Sequence, residues 1–296
     1  MTIRTGILFL ITICLPTTLQ EAYNNASSYE DYEKYVILEQ GQTYYGGLGI
    51  YEGDVFIDCQ GSTIDLQNQN GIWVYADEEY RATLDIQYCN IINGAYYGLS
   101  YSGIASGNII NCNFYNNNIG IKPFDYTEIH IENCNFINNT TYGLGIISEH
   151  PIVTVNYSNS WGCENGDYWE NCPGWGNVWT PWVPDPGVGL IYQDPRFVDL
   201  ENLDFNYSSD SPCIDSGNPN LYDSDGSRRD IGAIIYLDSI QGDCNLDNEL
   251  SILDVVYLIN NCILGDSNEC SCSDINNDNE SNVLDVVNLV NLILSD

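Results

Sequence analysis

The chain is 296 residues long and carries 42 acidic side chains against 7 basic ones, a formal charge of −35. Such a field repels nucleic acid and anionic membrane surfaces, and leaves cations, neutral sugars and basic protein surfaces as partners. Apolar residues make up 44% of the chain, so it is not a disordered acidic tail and has the material for one large domain with a smaller one.

The first residues, MTIRTGILFLITICLP, place Arg4 ahead of an apolar run from Gly6 to Leu15, which Pro16 ends. This is the layout of a secretory signal peptide, and the run is too short for a bilayer. A leader over residues 1–22, cut between Gln20 and Ala26, is expected, and no later stretch is apolar enough for a membrane helix. The expected location is extracellular or at the cell surface. Loss of the leader takes Cys14 and leaves 11 of the 12 cysteines, an odd number, in a compartment that permits disulfides. Cys163 with Cys172 is one expected pair, and Cys262, Cys270 and Cys272 can supply another.

From about Val36 to Trp161 the chain repeats itself. The lines LDIQYCNIINGAYYGL, NIINCNFYNNNIGI and IHIENCNFINNTTYGL align on Cys89, Cys112 and Cys134, spaced 23 and 22 residues apart. Each cysteine is followed by Asn (Asn90, Asn113, Asn135) and, eight or nine residues on, by Gly and Leu or Ile. A fixed period of this length, built of short β-type segments and Asn/Gly turns, signals a solenoid. Ile86, Ile109 and Ile131, then Ile91, Phe114 and Phe136, are expected to form inward columns, with Ser158 continuing the cysteine column. The stacked cysteines read as buried thiols filling space, and the Asn column as a hydrogen-bonded ladder.

These residues resemble the right-handed parallel β-helix family over roughly residues 36–235. The phrases YVILEQGQTYYGG and IDCQGSTIDL resemble its opening coils, and DPRFVDLENLDFNYSSDSPCIDSGNPNLYDSDGSRRDIGA resembles a closing segment. The resemblance implies a mostly β solenoid over residues 23–238 and leaves the chemistry open, because the scaffold carries lyases, hydrolases and inert surface proteins alike. In the closing segment, Asp223, Asp225 and Asp230 suit a cation, or a salt-bridged turn between Asp230 and Arg228 or Arg229.

The end of the chain spells one phrase twice, GDCNLDNELSILDVV and SDINNDNESNVLDVV, 31 residues apart. Asp243, Asn245, Asp247, Glu249, Ser251 and Asp254 fall at positions 1, 3, 5, 7, 9 and 12 of one loop. Asp274, Asn276, Asp278, Glu280, Asn282 and Asp285 fall at the same positions of the other. Oxygen donors at that spacing are what a hard Ca²⁺ ion takes, so two Ca²⁺ ions are expected. Each loop then enters an apolar helix-like run. Loop and helix, duplicated, resemble the type I dockerin module over residues 239–296. That resemblance implies calcium-dependent folding and docking onto a cohesin-like partner. Positions 10 and 11, often small hydroxyl residues facing the partner, are here Ile252 and Leu253, then Val283 and Leu284. An apolar pair suggests a different partner, or docking back onto the solenoid.

For catalysis the sequence offers little. A polyuronate lyase needs basic groups, and only Lys34, Arg81, Lys122, Arg196, Arg228 and Arg229 follow the leader, no two flanking one repeat column. A glycosidase needs two carboxyl groups on one site; the most suggestive outward column is Asp85, Asn108, His130 and Thr154. Five of the six tryptophans (Trp161, Trp169, Trp175, Trp179, Trp182) cluster where they either plug the solenoid or bind sugar. The leading expectation is a secreted, carbohydrate-associated β-helix displayed through a calcium-dependent module. The alternative is a polysaccharide-degrading enzyme, a glycoside hydrolase or lyase, carrying a dockerin.

Overall fold

The computed structural model describes residues 17–148, 150–172, 178–181, 187–237, 242–245, 250–265, 272–276, 278 and 280–295. The apolar run from Gly6 to Leu15, expected to belong to a leader, lies outside these residues. The chain divides into two compact units, Met1–Tyr236 and Leu237–Asp296.

The first unit is a parallel β-solenoid of six turns with three faces. The first sheet stacks Lys34–Ile37, Gly53–Asp58, Ala82–Gln87, Ser106–Ile110, Glu128–Glu132 and Ile152–Asn156. The second sheet runs from Thr43–Tyr45 to Asn159–Trp161, and the third from Leu48–Ile50 to Gly166–Cys172. Val178–Pro181 pairs antiparallel with Gly166–Cys172 and so ends the third sheet's parallel stacking.

Strand alternation points every second residue inward. The columns Ile57–Ile86–Ile109–Ile131–Val155 and Ile64–Ile91–Phe114–Phe136 are in register across successive turns, and all nine side chains are buried. A third column, Leu48–Ile72–Leu99–Ile121–Leu144–Tyr168, closes the core. Each such aliphatic burial contributes about 1.5–3 kcal/mol before the entropy of ordering is subtracted.

At the turn between the first and second sheets, Tyr88, Asn111, Asn133 and Tyr157 take left-handed φ values of 46–52°. Asn tolerates that conformation better than most residues; for the two tyrosines it is a local cost that the stack holds in place. The cysteine column follows directly. Cys112 and Cys134 are buried free thiols, and burial pushes the Cys134 thiol well up. Cys89 departs from the expectation: it is bonded to Cys59, one turn earlier, with Cα atoms 4.9 Å apart. The stacking of successive turns holds the two Cα atoms within bridging distance.

The Asn column is a ladder: Asn113 donates to Asn90 (2.7 Å), Asn135 to Asn113 (3.0 Å) and Asn159 to Asn135 (3.1 Å). It is buried because the closing segment lies over it. Asn135 donates to the Tyr207 hydroxyl, Ala233 N–H to Asn113, and Asn111 to the carbonyls of Asp230 and Gly232.

Two pairings expected here do not form. Cys163 is free, half-buried among Phe136, Asn139 and Ser160, and has no bond to Cys172. Neither Arg228 nor Arg229 pairs with Asp230. Arg228 donates to the carbonyls of Ser216 and Gly217, whereas Arg229 lies 3.1 Å from Asp223, an ion pair too misaligned for a hydrogen bond, and also donates to the Tyr88 hydroxyl. Asp230 accepts instead from the main-chain N–H of Asp215 and Tyr236.

Helix α1 (Leu19–Asn25) caps the open first turn. Thr18 and Glu21 form a capping box, Thr18 bridges to Tyr45, and Leu19 is fully buried in the solenoid core. Terminal caps are what keep a solenoid from exposing its end. A cut between Gln20 and Ala26 would sever this helix.

The second unit has its own small core of Cys244, Val255, Leu258, Ile275 and Leu289. Helix α2 (Ile252–Tyr257) continues as a π-helical stretch, Leu258–Ile263, and helix α3 covers Val283–Ser295. Cys244 is bonded to Cys272. Cys272 thus pairs outside the trio Cys262, Cys270 and Cys272, and Cys262 is disulfide-bonded as well. Cys270 lies outside the described residues.

Candidate functional site

The two loops enter their helices alike. Ser251 caps α2, accepting from Leu253 N–H (3.1 Å), and Asn282 caps α3, accepting from Leu284 N–H (2.8 Å). Position 12 is the third residue of each helix, and both aspartates there are fully buried. Asp254 Oδ1 accepts from the N–H of Cys244 (2.9 Å) and Asn245 (3.2 Å), and its Oδ2 from Ser251 N–H (2.8 Å). Asp285 repeats this with Ile275, Asn276 and Asn282. One carboxylate thus ties the start of each loop to the start of the helix after it.

The second loop is wound by its own side chains. Asp274 and Asn276 both accept from Asp278 N–H at 2.9 Å, and Asp278 accepts from Glu280 N–H at 2.8 Å. In the first loop Asp243 is buried and Asn245 half-buried; Asp247 and Glu249 lie outside the described residues. Among the described residues no three acidic, thiol or imidazole groups converge on one point. The donor chemistry nevertheless fits a hard cation. Every side chain at positions 1, 3, 5, 9 and 12 offers oxygen, and residues 237–296 hold 12 acidic side chains with no Lys, Arg or His to neutralise them.

The four apolar residues at positions 10 and 11 are all open to solvent: Ile252 62%, Leu253 58%, Val283 67% and Leu284 55%. Val256 and Val287 extend the exposed face by one turn on each helix. They follow Leu253 and Leu284 at a spacing of three, which puts them on the same side and was readable in the repeated LDVV.

On the solenoid, the outward column on the first sheet is in the expected register, with His130 level with Asn108 and Thr154. Asp85, Asn108 and His130 of this column line a cleft of about 370 Å³. Asp85 accepts from the Tyr32 hydroxyl (2.7 Å) and from Asn108 N–H and Nδ2 (2.8 and 2.9 Å). Burial, and then that bond to Asp85, push the Tyr32 hydroxyl above its usual range. His130 Nδ1 is 2.7 Å from the Thr154 hydroxyl and its Nε2 is 4.0 Å from Glu128. Arg81 reaches Asp54 at 3.7 Å and is 81% exposed. Tyr32 and Glu128 were not read from the sequence as site residues. Tyr32 precedes the first strand and belongs to no repeat, so no periodic signal marks it.

Trp161 and Trp169 lie on different sheets of the solenoid. Trp161 is exposed and Trp169 stacks on Tyr142 at 5.4 Å. Trp175 and Trp182 lie outside the described residues, and Trp179 belongs to the antiparallel strand that ends the third sheet.

Residues 44–173 match the family model described as "Right handed beta helix region". The match spans most of the stacked turns and stops before the closing segment and the second unit. No curated protein and no solved structure matches the chain.

Proposed function

We propose that this is a secreted right-handed β-helix protein, carbohydrate-associated and attached to a protein partner through a dockerin-like module that folds around two Ca²⁺ ions. The observation that carries the reading is the duplicated arrangement at Asp254 and Asp285, each a buried carboxylate joining a loop of oxygen donors to the helix that follows. Asp243, Asn245, Asp247, Glu249, Ser251 and Asp254 would hold one ion, and Asp274, Asn276, Asp278, Glu280, Asn282 and Asp285 the other. Position 7 would offer its main-chain carbonyl. The ion supplies the positive charge that a unit without basic residues lacks, and its binding contributes to folding. Ile252, Leu253, Val283 and Leu284 then present two equivalent apolar patches to a cohesin-like partner or to the chain's own solenoid.

The test is circular dichroism of the chelator-stripped full chain titrated with Ca²⁺. Helix content should rise with the metal, and the rise should vanish in Asp243→Ala/Asp274→Ala. Helix content that ignores both the chelator and the substitutions contradicts the reading.

A second reading rests on the Asp85 cleft, where acidic and imidazole groups share one outward face. Hydrolysis of a neutral polysaccharide is the reaction it favours. Release of reducing ends that disappears in Asp85→Asn supports that reading, and no turnover on any neutral glycan removes it.

A further inference from the structure

The third sheet carries a second outward surface, and its chemistry differs from that of the Asp85 cleft. Two adjoining grooves, of about 460 and 430 Å³, meet at Tyr51. The larger one is lined entirely by uncharged residues, on a chain whose net charge is −35. Its walls are aromatic: Tyr51, Trp73 and Tyr97, with Tyr96 at the rim. Tyr51 is 52% exposed and Tyr96 63%.

The rings are placed by small residues around them. Gly49, Trp73 and Ser100 are level on three successive turns, so the indole stands between two positions with little or no side chain. The ring of Tyr51 lies over Gly49, where a Cβ would come within 2.7 Å of it. Trp73 is held by its Nε1–H, which donates to the buried Ser102 hydroxyl at 2.7 Å, and it meets Tyr51 edge-on at 5.7 Å. Lys122 backs Tyr97, with its ammonium 5.8 Å from the ring centre. A bonded indole, a ring seated on glycine and a backed phenol form a surface set before any ligand arrives, which lowers the ordering cost of binding.

We infer that this surface binds a neutral oligosaccharide chain with equatorial hydroxyls. Such sugars present C–H faces to aromatic rings and hydroxyls to Gln69 and Asn70 at the groove edge. Turns spaced about 4.8 Å apart repeat at close to the length of one sugar ring, so successive rings meet successive turns. The smaller groove adds Glu52 and Asp77, which accept from hydroxyls and repel uronates. This rests on the carbohydrate-associated part of the proposed function and is independent of the calcium loops.

The experiment is calorimetric titration of the full chain, in chelator, with cellohexaose, xylohexaose and a galacturonate oligomer. At least one neutral chain should bind saturably, and the galacturonate should not. Tyr51→Ala and Tyr97→Ala should each weaken binding roughly fivefold. Gly49→Ala, which removes no ring but displaces Tyr51, should weaken it too, and Trp161→Ala should leave it unchanged. Three results overturn the inference: neither neutral chain binding at millimolar concentration, preference for the galacturonate, or Tyr51→Ala and Tyr97→Ala leaving the sugar affinity unchanged. Because chelator is present throughout, none of these bears on the calcium reading.

Discussion

Asp254 and Asp285 occupy one structural position written twice: each is fully buried at the third residue of its helix, and each accepts three main-chain N–H groups. Removing either carboxylate strands three donors, at about 1–3 kcal/mol for each one left buried. Asp254→Ala should therefore melt the second unit, while Ser251→Ala, which removes only the side-chain cap of α2, should cost about 1 kcal/mol. Amide hydrogen exchange distinguishes them: protection over residues 250–263 is lost in the first and only reduced in the second. Equal behaviour of the two variants would contradict this account.

The buried Leu19 and the bridge from Thr18 to Tyr45 make the first turn depend on residues the leader was expected to include. If a leader is removed, the remaining chain should start at or before Thr17, as read by mass spectrometry of its N-terminus. Leu19→Ala should lower stability by about 2–5 kcal/mol, the range for a buried leucine. A mature chain starting at Tyr23 with undiminished stability would contradict the capping role of α1.

The bond between Cys59 and Cys89 closes a loop with a sequence separation of 30. By the chain-entropy argument it contributes about 3–4 kcal/mol, so a Cys59→Ser/Cys89→Ser pair should lose roughly that much by denaturant unfolding. Burial raises the Cys134 thiol and pushes Cys213 up to about 12. Neither should react with a thiol reagent until the protein unfolds. Rapid labelling of both in the native state would show that the solenoid core opens.

Burial lifts the Asp230 carboxyl to about 7, against about 3.9 in an unfolded chain. The folded state holds that proton more tightly, so the contribution is complete below about pH 3.9 and is lost as pH rises through about 7. The thermal midpoint of the solenoid should fall across that window. In Asp230→Asn the fall should be shallower, from a lower start, because the amide cannot accept from both Asp215 and Tyr236 N–H. Asp223 and Asp167, which burial also raises, keep part of the slope. Parallel curves for the two proteins would contradict the assignment to Asp230.

The stacked turns were legible because period and alternation are local: Cys89, Cys112 and Cys134 set the register, and Ile86, Ile109 and Ile131 fall inward from it. The Cys59–Cys89 bond was not, since a parallel stack fixes the Cα spacing while the side-chain torsions decide whether sulfurs meet. The closing segment was recognised as a segment, but not its docking onto the Asn ladder. Contacts such as Asn111 to Asp230 span 119 residues, and no periodic signal encodes them. The aromatic surface of Tyr51, Trp73 and Tyr97 was hidden for the same reason. Its residues come from three turns that share no repeat position, whereas the tryptophans near Trp175 drew notice by sequence clustering alone.

The most direct test of the account is calorimetric titration of the chelator-stripped full chain with Ca²⁺. The account predicts uptake of two ions, falling to one in Asp243→Ala or Asp274→Ala alone and to none in the double variant. No heat of binding in the unaltered chain would contradict it and leave the duplicated loops as capped helix starts without a metal.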